Sequence, residues 1–121
     1  MKYMLLIYGN EAAMQAASKA QTEQTMGAYV AYTDALRTAG VIVGGDRLQP
    51  STVATTVRVA DGKSKVLNGP YAESKEQLGG YYLIDAKDLD EAIGIAAGTP
   101  GARVGTVEIR PVMEIAGLPT G

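Results

Sequence analysis

Two segments of this chain carry apolar or aromatic side chains on both faces of a strand, and this constrains the fold more than any other feature. Every residue of Tyr3–Tyr8 is apolar or aromatic, and the same holds for Tyr81–Ile84. Successive side chains of a strand point to opposite faces of the sheet. A sheet with one face in water alternates apolar and polar residues. A sheet that contains both segments therefore needs cover on both faces.

The order of the predicted elements is strand, helix, strand, hairpin, strand, helix, strand. Ser18 and Asp88 each have a Gln or Glu three residues later, the spacing of a capping box that opens a helix. Gly40 ends the first helix, the second runs to about Ala97, and Asp61-Gly62 predicts a type I′ hairpin turn. The other predicted strands are Val41–Val43 continued by Asp46 and Leu48 after a Gly44-Gly45 break, Thr55–Ala60, Ser64–Leu67 and Val104–Val112.

Two strand–helix–strand units with an inserted β-hairpin predict an α+β fold, a ferredoxin-like sandwich. We expect one domain over residues 1–115 and a mobile tail over 116–121. Two helices cover only one face of a four-stranded sheet. The simplest cover for the other face is the same face of a second copy, which predicts a homodimer built as a dimeric α/β barrel. The alternative is a monomer whose hairpin folds across the sheet.

Composition excludes several kinds of chemistry. The 121 residues include no cysteine and no histidine, which removes disulfides, thiolate nucleophiles, zinc–cysteine sites and histidine acid/base chemistry. The net charge of −2 and the lack of a basic run argue against nucleic acid as a partner. No acidic loop motif indicates a metal site, and no cofactor is expected. No segment has the length of a membrane span or of a signal peptide, so we expect a cytoplasmic protein without membrane contact.

Asp46 and Arg58 are candidates for a ligand site. Asp46 follows a pair of glycines, which often mark a bulge or the close approach of a ligand. In a barrel interior its carboxylate could act as a base; otherwise it is an exposed acid paired with Arg47. A two-residue turn places Arg58 opposite Lys65, an unfavourable pair unless a bulge shifts the register or an anion lies between them. The alternative for both cations is a solvated hairpin.

A charged loop follows the hairpin and adds further candidates. Glu73 could act as an acid or base beside Lys75, or these side chains and Glu76 could form only surface ion pairs. Tyr71 and Tyr81 adjoin this loop and are expected to line a pocket.

The last strand carries a further pair. Glu108 and Arg110 alternate on the face away from the helices, where they form a salt bridge with each other or line a polar pocket.

Five segments of the chain are informative together: NGPYAESKEQLGGYYLID at 68–85, KYMLLIYG at 2–9, GVIVGGDRLQP at 40–50, TTVRVADGK at 55–63 and TVEIRPV at 106–112. These segments resemble the YCII-related family, specifically the branch named for an Asp-Gly-Pro-Phe tetrapeptide (DGPF). The resemblance implies a ferredoxin-like fold that dimerises as an α/β barrel, and an association with sigma-factor systems. The tetrapeptide differs here, with Asn68 for Asp and Tyr71 for Phe. The His-Asp pair of some relatives cannot be present, because the chain has no histidine.

Three functions remain open from the sequence. The first is a small-ligand binding or regulatory dimer of the DGPF type, with an anionic or polar ligand held by the candidates named above, Asn68 among them. The second is an enzyme, an isomerase or lyase, with Asp46 or Glu73 as base and Arg58 holding an anion. The third is a module that acts only through protein contacts. Whether the chain is an enzyme stays open.

Overall fold

The computed structural model describes residues 1–117 of the chain. Its strands and helices follow one another as β1 (Lys2–Gly9), α1 (Glu11–Gln15), α2 (Lys19–Thr38), β2 (Ile42–Arg47), β3 (Thr55–Ala60), β4 (Lys63–Asn68), β5 (Gln77–Asp85), α3 (Leu89–Ala97) and β6 (Thr106–Pro111). Short 3₁₀ helices lie at Ser51–Val53 and Pro100–Arg103. Of the predicted tail, residues 118–121 lie outside the described part.

Four strands form one antiparallel sheet in the order β2-β5-β1-β6, and β3 pairs with β4 in a separate two-stranded sheet. The two central strands are the two segments that are apolar on both faces. The predicted mixed α+β class is confirmed, and the strand order is consistent with a ferredoxin-like sandwich.

The core lies between one face of the sheet and the helices. Leu5 and Ile84 of the central strands have no exposed surface, and Tyr3 is almost fully buried beside them. Helix α3 packs against them through its two small residues Ala92 and Ala96, which are also buried. Small side chains let the helix axis approach the sheet closely, and this explains why an alanine-rich helix covers this face.

Helix α2 is attached to the core by its tyrosines. The Tyr32 hydroxyl donates to the backbone carbonyl of Ile95 at 2.6 Å, and it accepts from the buried Thr99 at 3.2 Å. The Tyr29 hydroxyl accepts from the backbone N–H of Gly101 at 3.0 Å. Burial raises the pKa of both Tyr29 and Tyr32, because a phenolate is poorly solvated there.

The largest differences from the sequence prediction are one additional helix and the starts of two strands. Helix α1, which Asn10 caps by accepting from the Ala13 N–H at 2.9 Å, was not predicted. Strand β5 begins at Gln77 and runs through Gly79-Gly80, so it starts four residues before the predicted apolar segment that opens at Tyr81. Strand β6 begins only at Thr106, because Val104 and Gly105 form a turn after the 3₁₀ helix, in which the Gly105 N–H donates to the Gly101 carbonyl at 2.8 Å.

The hairpin has the predicted turn and register. Asp61 and Gly62 have φ angles of 51° and 74°, as a type I′ turn requires. Arg58 lies directly opposite Lys65 without a bulge, so a shifted register is excluded. Every side chain of the two strands except the half-buried Thr56 is exposed. The hairpin therefore does not fold across its own sheet, and the monomeric alternative in that form is wrong.

Candidate functional site

Within residues 1–117, no helix covers one face of the sheet, which we call the open face. This face carries a row of four side chains across all four strands. The pairing registers place Asp46 opposite Tyr81, Tyr81 opposite Leu6, and Leu6 opposite Glu108. We call these four residues the central row. Leu6 and Tyr81 in the middle are half-buried, and Asp46 on the edge strand β2 is exposed. The row therefore has an apolar centre and a carboxylate near each end.

Asp46 and Tyr81 form a direct hydrogen bond. The Tyr81 hydroxyl donates to Oδ2 of Asp46 at 2.7 Å. This bond and the negative charge of Asp46 raise the pKa of Tyr81, because a phenolate beside a carboxylate would lose the bond and be repelled. Asp46 therefore forms its hydrogen bond with a tyrosine. Among the described residues it forms no salt bridge with Arg47, so the alternative that paired these two residues is wrong.

Glycines in β2 and β5 set the distance between these two strands. A Cβ added to Gly45 would lie 2.8 Å from the backbone oxygen of Tyr81, and one added to Gly80 would lie 2.8 Å from the backbone oxygen of Asp46. Neither contact is possible for a real side chain. The glycine pair at 44–45 therefore marks the close approach of a neighbouring strand, and the register shift beside Val43 adds a bulge.

The other end of the central row is an ion pair with a tyrosine beside it. Glu108 Oε2 lies 3.8 Å from Nη1 of Arg110, and the Tyr8 hydroxyl donates to Glu108 Oε1 at 3.4 Å. Both charged side chains are well exposed, which makes this a surface pair of small energetic value. The predicted salt bridge between Glu108 and Arg110 is confirmed.

The width of the sheet separates the two carboxylates of the central row. Asp46 and Glu108 lie on the two edge strands, three strand spacings apart, which is roughly 14 Å between backbones. They cannot act together on one proton of a small molecule. Between them the floor is apolar, with Met4 and Leu83 in the next row beside Leu6 and Tyr81. Polar groups around an apolar floor are typical of small-molecule sites.

A polar network that the sequence did not reveal holds the loops at one end of the sheet. Glu11 of α1 accepts from both the N–H and the hydroxyl of Ser51 at 2.7 Å, and its own N–H donates to Gln77 Oε1 at 3.0 Å. Glu76 of the charged loop accepts from the Thr106 hydroxyl at 2.7 Å. No local signal predicts these contacts, since the partners are 30 to 66 residues apart in the chain.

The remaining sequence candidates lie away from the Asp46–Tyr81 pair within one chain. Arg58 and Asn68 are exposed on the hairpin, and Tyr71 has 82% of its surface exposed on the loop that follows. Glu73 and Lys75 are exposed on the same loop. The structure therefore brings together Asp46 and Tyr81 of the seven candidates, and leaves the other five in solvent.

Comparison with known proteins identifies the family. Residues 1–116 match the YCII-related domain family. The chain is 40% identical over 114 residues to an uncharacterised protein, R00369, from Rhizobium meliloti (strain 1021), a match that covers 93% of this chain and 92% of that protein. The chain belongs to the YCII-related family.

A solved structure supports the fold. The 5-chloro-2-hydroxyhydroquinone dehydrochlorinase of Burkholderia phenoliruptrix AC1100, in complex with 2,5-dihydroxybenzoquinone, superposes with a TM-score of 0.55. The match covers 93% of this chain and 94% of that chain at 14% sequence identity, so it shows a shared fold alone.

Within residues 1–117, no group of three or more acidic side chains is placed to hold a metal ion. In the same part of the chain, no helix is both long enough and apolar enough to cross a membrane.

Proposed function

We propose that this protein is a homodimeric small-ligand binding protein whose site is the Asp46–Tyr81 end of the open face. The observation that carries the proposal is the hydrogen bond between Tyr81 and Asp46 on a sheet face that no helix covers. This bond uses one oxygen of the carboxylate, so its second oxygen can accept a hydrogen bond from a ligand. The apolar floor beside them supplies burial for the rest of a small molecule.

The chemistry of the site favours a ligand with hydroxyl or amino donors. A carboxylate accepts hydrogen bonds only, so a ligand that binds Asp46 must supply a donor. Leu6 and Leu83 next to the pair suit the flat apolar surface of a ring. The structural neighbour supports this direction, since its solved complex contains 2,5-dihydroxybenzoquinone, a small hydroxylated ring.

In the proposed homodimer, a second copy of the chain covers the open face. The half-buried apolar side chains Met4, Leu6 and Leu83 have no cover from their own chain's helices. A dimeric α/β barrel of the kind expected for the DGPF branch would remove them from water. Removing water from the site would also strengthen each hydrogen bond made to Asp46.

Calorimetric titration tests ligand binding with three probes: 2,5-dihydroxybenzoquinone, hydroquinone and benzoate. We expect a hydroxylated probe to bind, and Asp46→Asn to weaken its binding about tenfold, the value of one charge-assisted hydrogen bond. Asp34→Asn is the matched control, because Asp34 is an exposed carboxylate on α2, where it pairs with Arg37. Failure of both hydroxylated probes to bind, or equal affinity in the Asp46→Asn variant, would overturn the proposal.

The second candidate is an enzyme that uses Asp46 as a base with Tyr81 as the neighbouring proton donor. The specific observation in its favour is the hydrogen bond from the Tyr81 hydroxyl to Oδ2 of Asp46 at 2.7 Å, which places a phenol proton directly beside a carboxylate. The structural neighbour catalyses a dehydrochlorination. Chloride release from 5-chloro-2-hydroxyhydroquinone tests it. We expect release to fall about 10²-fold or more in Asp46→Asn, and no release by the wild-type chain would reject this candidate.

A further inference from the structure

One position of the open face lacks a side chain, although the packing of the chain would accept one there. Gly44 of β2 lies opposite Leu83 of β5, and the same row continues with Met4 on β1 and Arg110 on β6. Three long side chains therefore share this row with a glycine. We call the space above Gly44 the notch.

Neither a close contact nor the backbone explains the glycine at this position. A Cβ added to Gly44 would meet nothing within 4 Å, whereas one added to Gly45 would clash with the backbone of Tyr81. Gly44 also lacks the positive φ that favours glycine, so the bulge beside Val43 does not require it. Glycine weakens the interior of a strand and often marks the close approach of a ligand or another backbone. The free position therefore points to an occupant from outside the chain.

The notch adjoins the hydrogen-bonding pair of the proposed site. Gly44 and Asp46 lie two residues apart on one face of β2, about 7 Å along the strand, and Tyr81 is the diagonal neighbour of Gly44 on β5. The Tyr81 hydroxyl occupies Oδ2 of Asp46, which leaves Oδ1 to accept from an occupant of the notch. Half of a six-membered ring, its hydroxyl and one hydrogen bond of about 2.7 Å together span the distance to Asp46.

We infer that Gly44 determines the specificity of the proposed site, because the notch accepts the ring of a ligand whose hydroxyl donates to Asp46. This inference rests on the proposed function and narrows its ligand to a single hydroxylated ring. Leu83 forms an apolar wall of the notch, and in the proposed homodimer the second copy closes it from above. In other proteins a cavity of about 150 Å³, made by truncating one buried side chain, holds benzene. A missing side chain in a covered row therefore makes room for one ring rather than for a larger ring system.

A side chain of the second copy is the competing occupant of the notch. An apolar side chain there would remove Oδ1 of Asp46 from water without giving it a hydrogen bond, and an unsatisfied carboxylate oxygen is costly. A hydroxylated ring fills the same space and supplies the missing donor. The chemistry beside the notch thus favours the ring.

Filling the notch tests the inference. Calorimetric titration with hydroquinone and 2,5-dihydroxybenzoquinone compares the wild type with Gly44→Ala and Gly44→Leu, and sedimentation equilibrium gives the mass of each variant. We expect Gly44→Ala to weaken binding about tenfold or more, the effect of one methyl group in a filled pocket, and Gly44→Leu to abolish measurable binding. Both variants should remain dimeric.

Two controls separate the loss of space from a loss of structure. Gly27→Ala adds a Cβ that also meets nothing within 4 Å, but on helix α2, and it should keep the wild-type affinity. Alkaline absorbance titration should show that the Gly44 variants keep the raised pKa of Tyr81, because the added groups leave its hydrogen bond to Asp46 intact.

The outcomes also separate this inference from the proposed function. Wild-type affinity in Gly44→Ala and in a dimeric Gly44→Leu would overturn the inference, and the proposed function would still stand if Asp46→Asn lost binding. If Gly44→Leu does not fold or does not dimerise, the affinity of Gly44→Ala decides, and an unchanged value would assign the notch to the second copy instead of a ligand. A wild type that binds neither probe would reject both the inference and the proposed function.

Discussion

Replacing Gly45 by alanine tests the close approach of β2 and β5 that positions Asp46 beside Tyr81. The added Cβ would lie 2.8 Å from the Tyr81 carbonyl oxygen and 3.0 Å from Cδ1 of Tyr82. Since the first contact is with backbone, no side-chain rotation relieves it and strand β2 must move. Overpacking of this kind costs about 1–3 kcal/mol, against about 0.5–1 kcal/mol gained by removing a glycine from a strand. We expect a net loss of about 1–2 kcal/mol.

Urea denaturation followed by circular dichroism, at one fixed protein concentration, measures this loss. Gly94→Ala is the control, because its added Cβ in α3 meets nothing within 4 Å, and it should stabilise the protein by about 1 kcal/mol. Movement of β2 should also lengthen the Tyr81–Asp46 hydrogen bond and lower the pKa of Tyr81. A Gly45→Ala variant as stable as Gly94→Ala would refute the close approach and the site geometry that depends on it.

Three further predictions follow from buried and hydrogen-bonded groups. Leu5→Ala should lower the free energy of unfolding by about 2–5 kcal/mol, since Leu5 has no exposed surface; urea denaturation measures it, and a loss under 1 kcal/mol would contradict the packing. Asp46→Asn should lower the pKa of Tyr81 towards the ordinary value of 10.0. Alkaline absorbance titrations of this variant with and without Tyr81→Phe are compared, and their difference isolates the titration of Tyr81. An unchanged pKa of Tyr81 would argue against the hydrogen bond. The free energy of unfolding should keep its full value below pH 10 and fall as pH rises through the folded-state pKa values of Tyr29 and Tyr32, which exceed the ordinary value of 10.0. Thermal unfolding across this pH range measures the fall. The Tyr29→Phe/Tyr32→Phe double variant should lose less stability over the same range than the wild type.

The elements that sequence predicts well are those with local signals. The capping box of Ser18 with Gln21 and the cap of Asp88 fix the starts of α2 and α3 through contacts three residues away. Asp61-Gly62 adopts the backbone angles of the expected turn. Each of these structures depends on residues adjacent in the chain, so a pattern in the sequence is sufficient to find it.

The site depends on contacts that no local pattern contains. Asp46 and Tyr81 are 35 residues apart, and their pairing follows from the register of β2 on β5. That register in turn requires Gly80 to continue the strand, whereas glycine pairs usually indicate a break. The exposure of Tyr71 was not predicted for a similar reason. Its position next to the charged loop in the sequence does not determine which side of that loop faces the sheet.

Sedimentation equilibrium tests most directly the central claim that a second copy covers the open face. We predict that the wild-type chain, of 12.6 kDa, sediments at twice its mass, and that Leu6→Lys sediments at the mass of one chain, because the charged lysine would interrupt the apolar floor that the second copy covers. Val104→Lys, at a position 86% exposed, is the control and should remain a dimer. A monomeric wild type, or a folded Leu6→Lys variant that stays dimeric, would contradict the account.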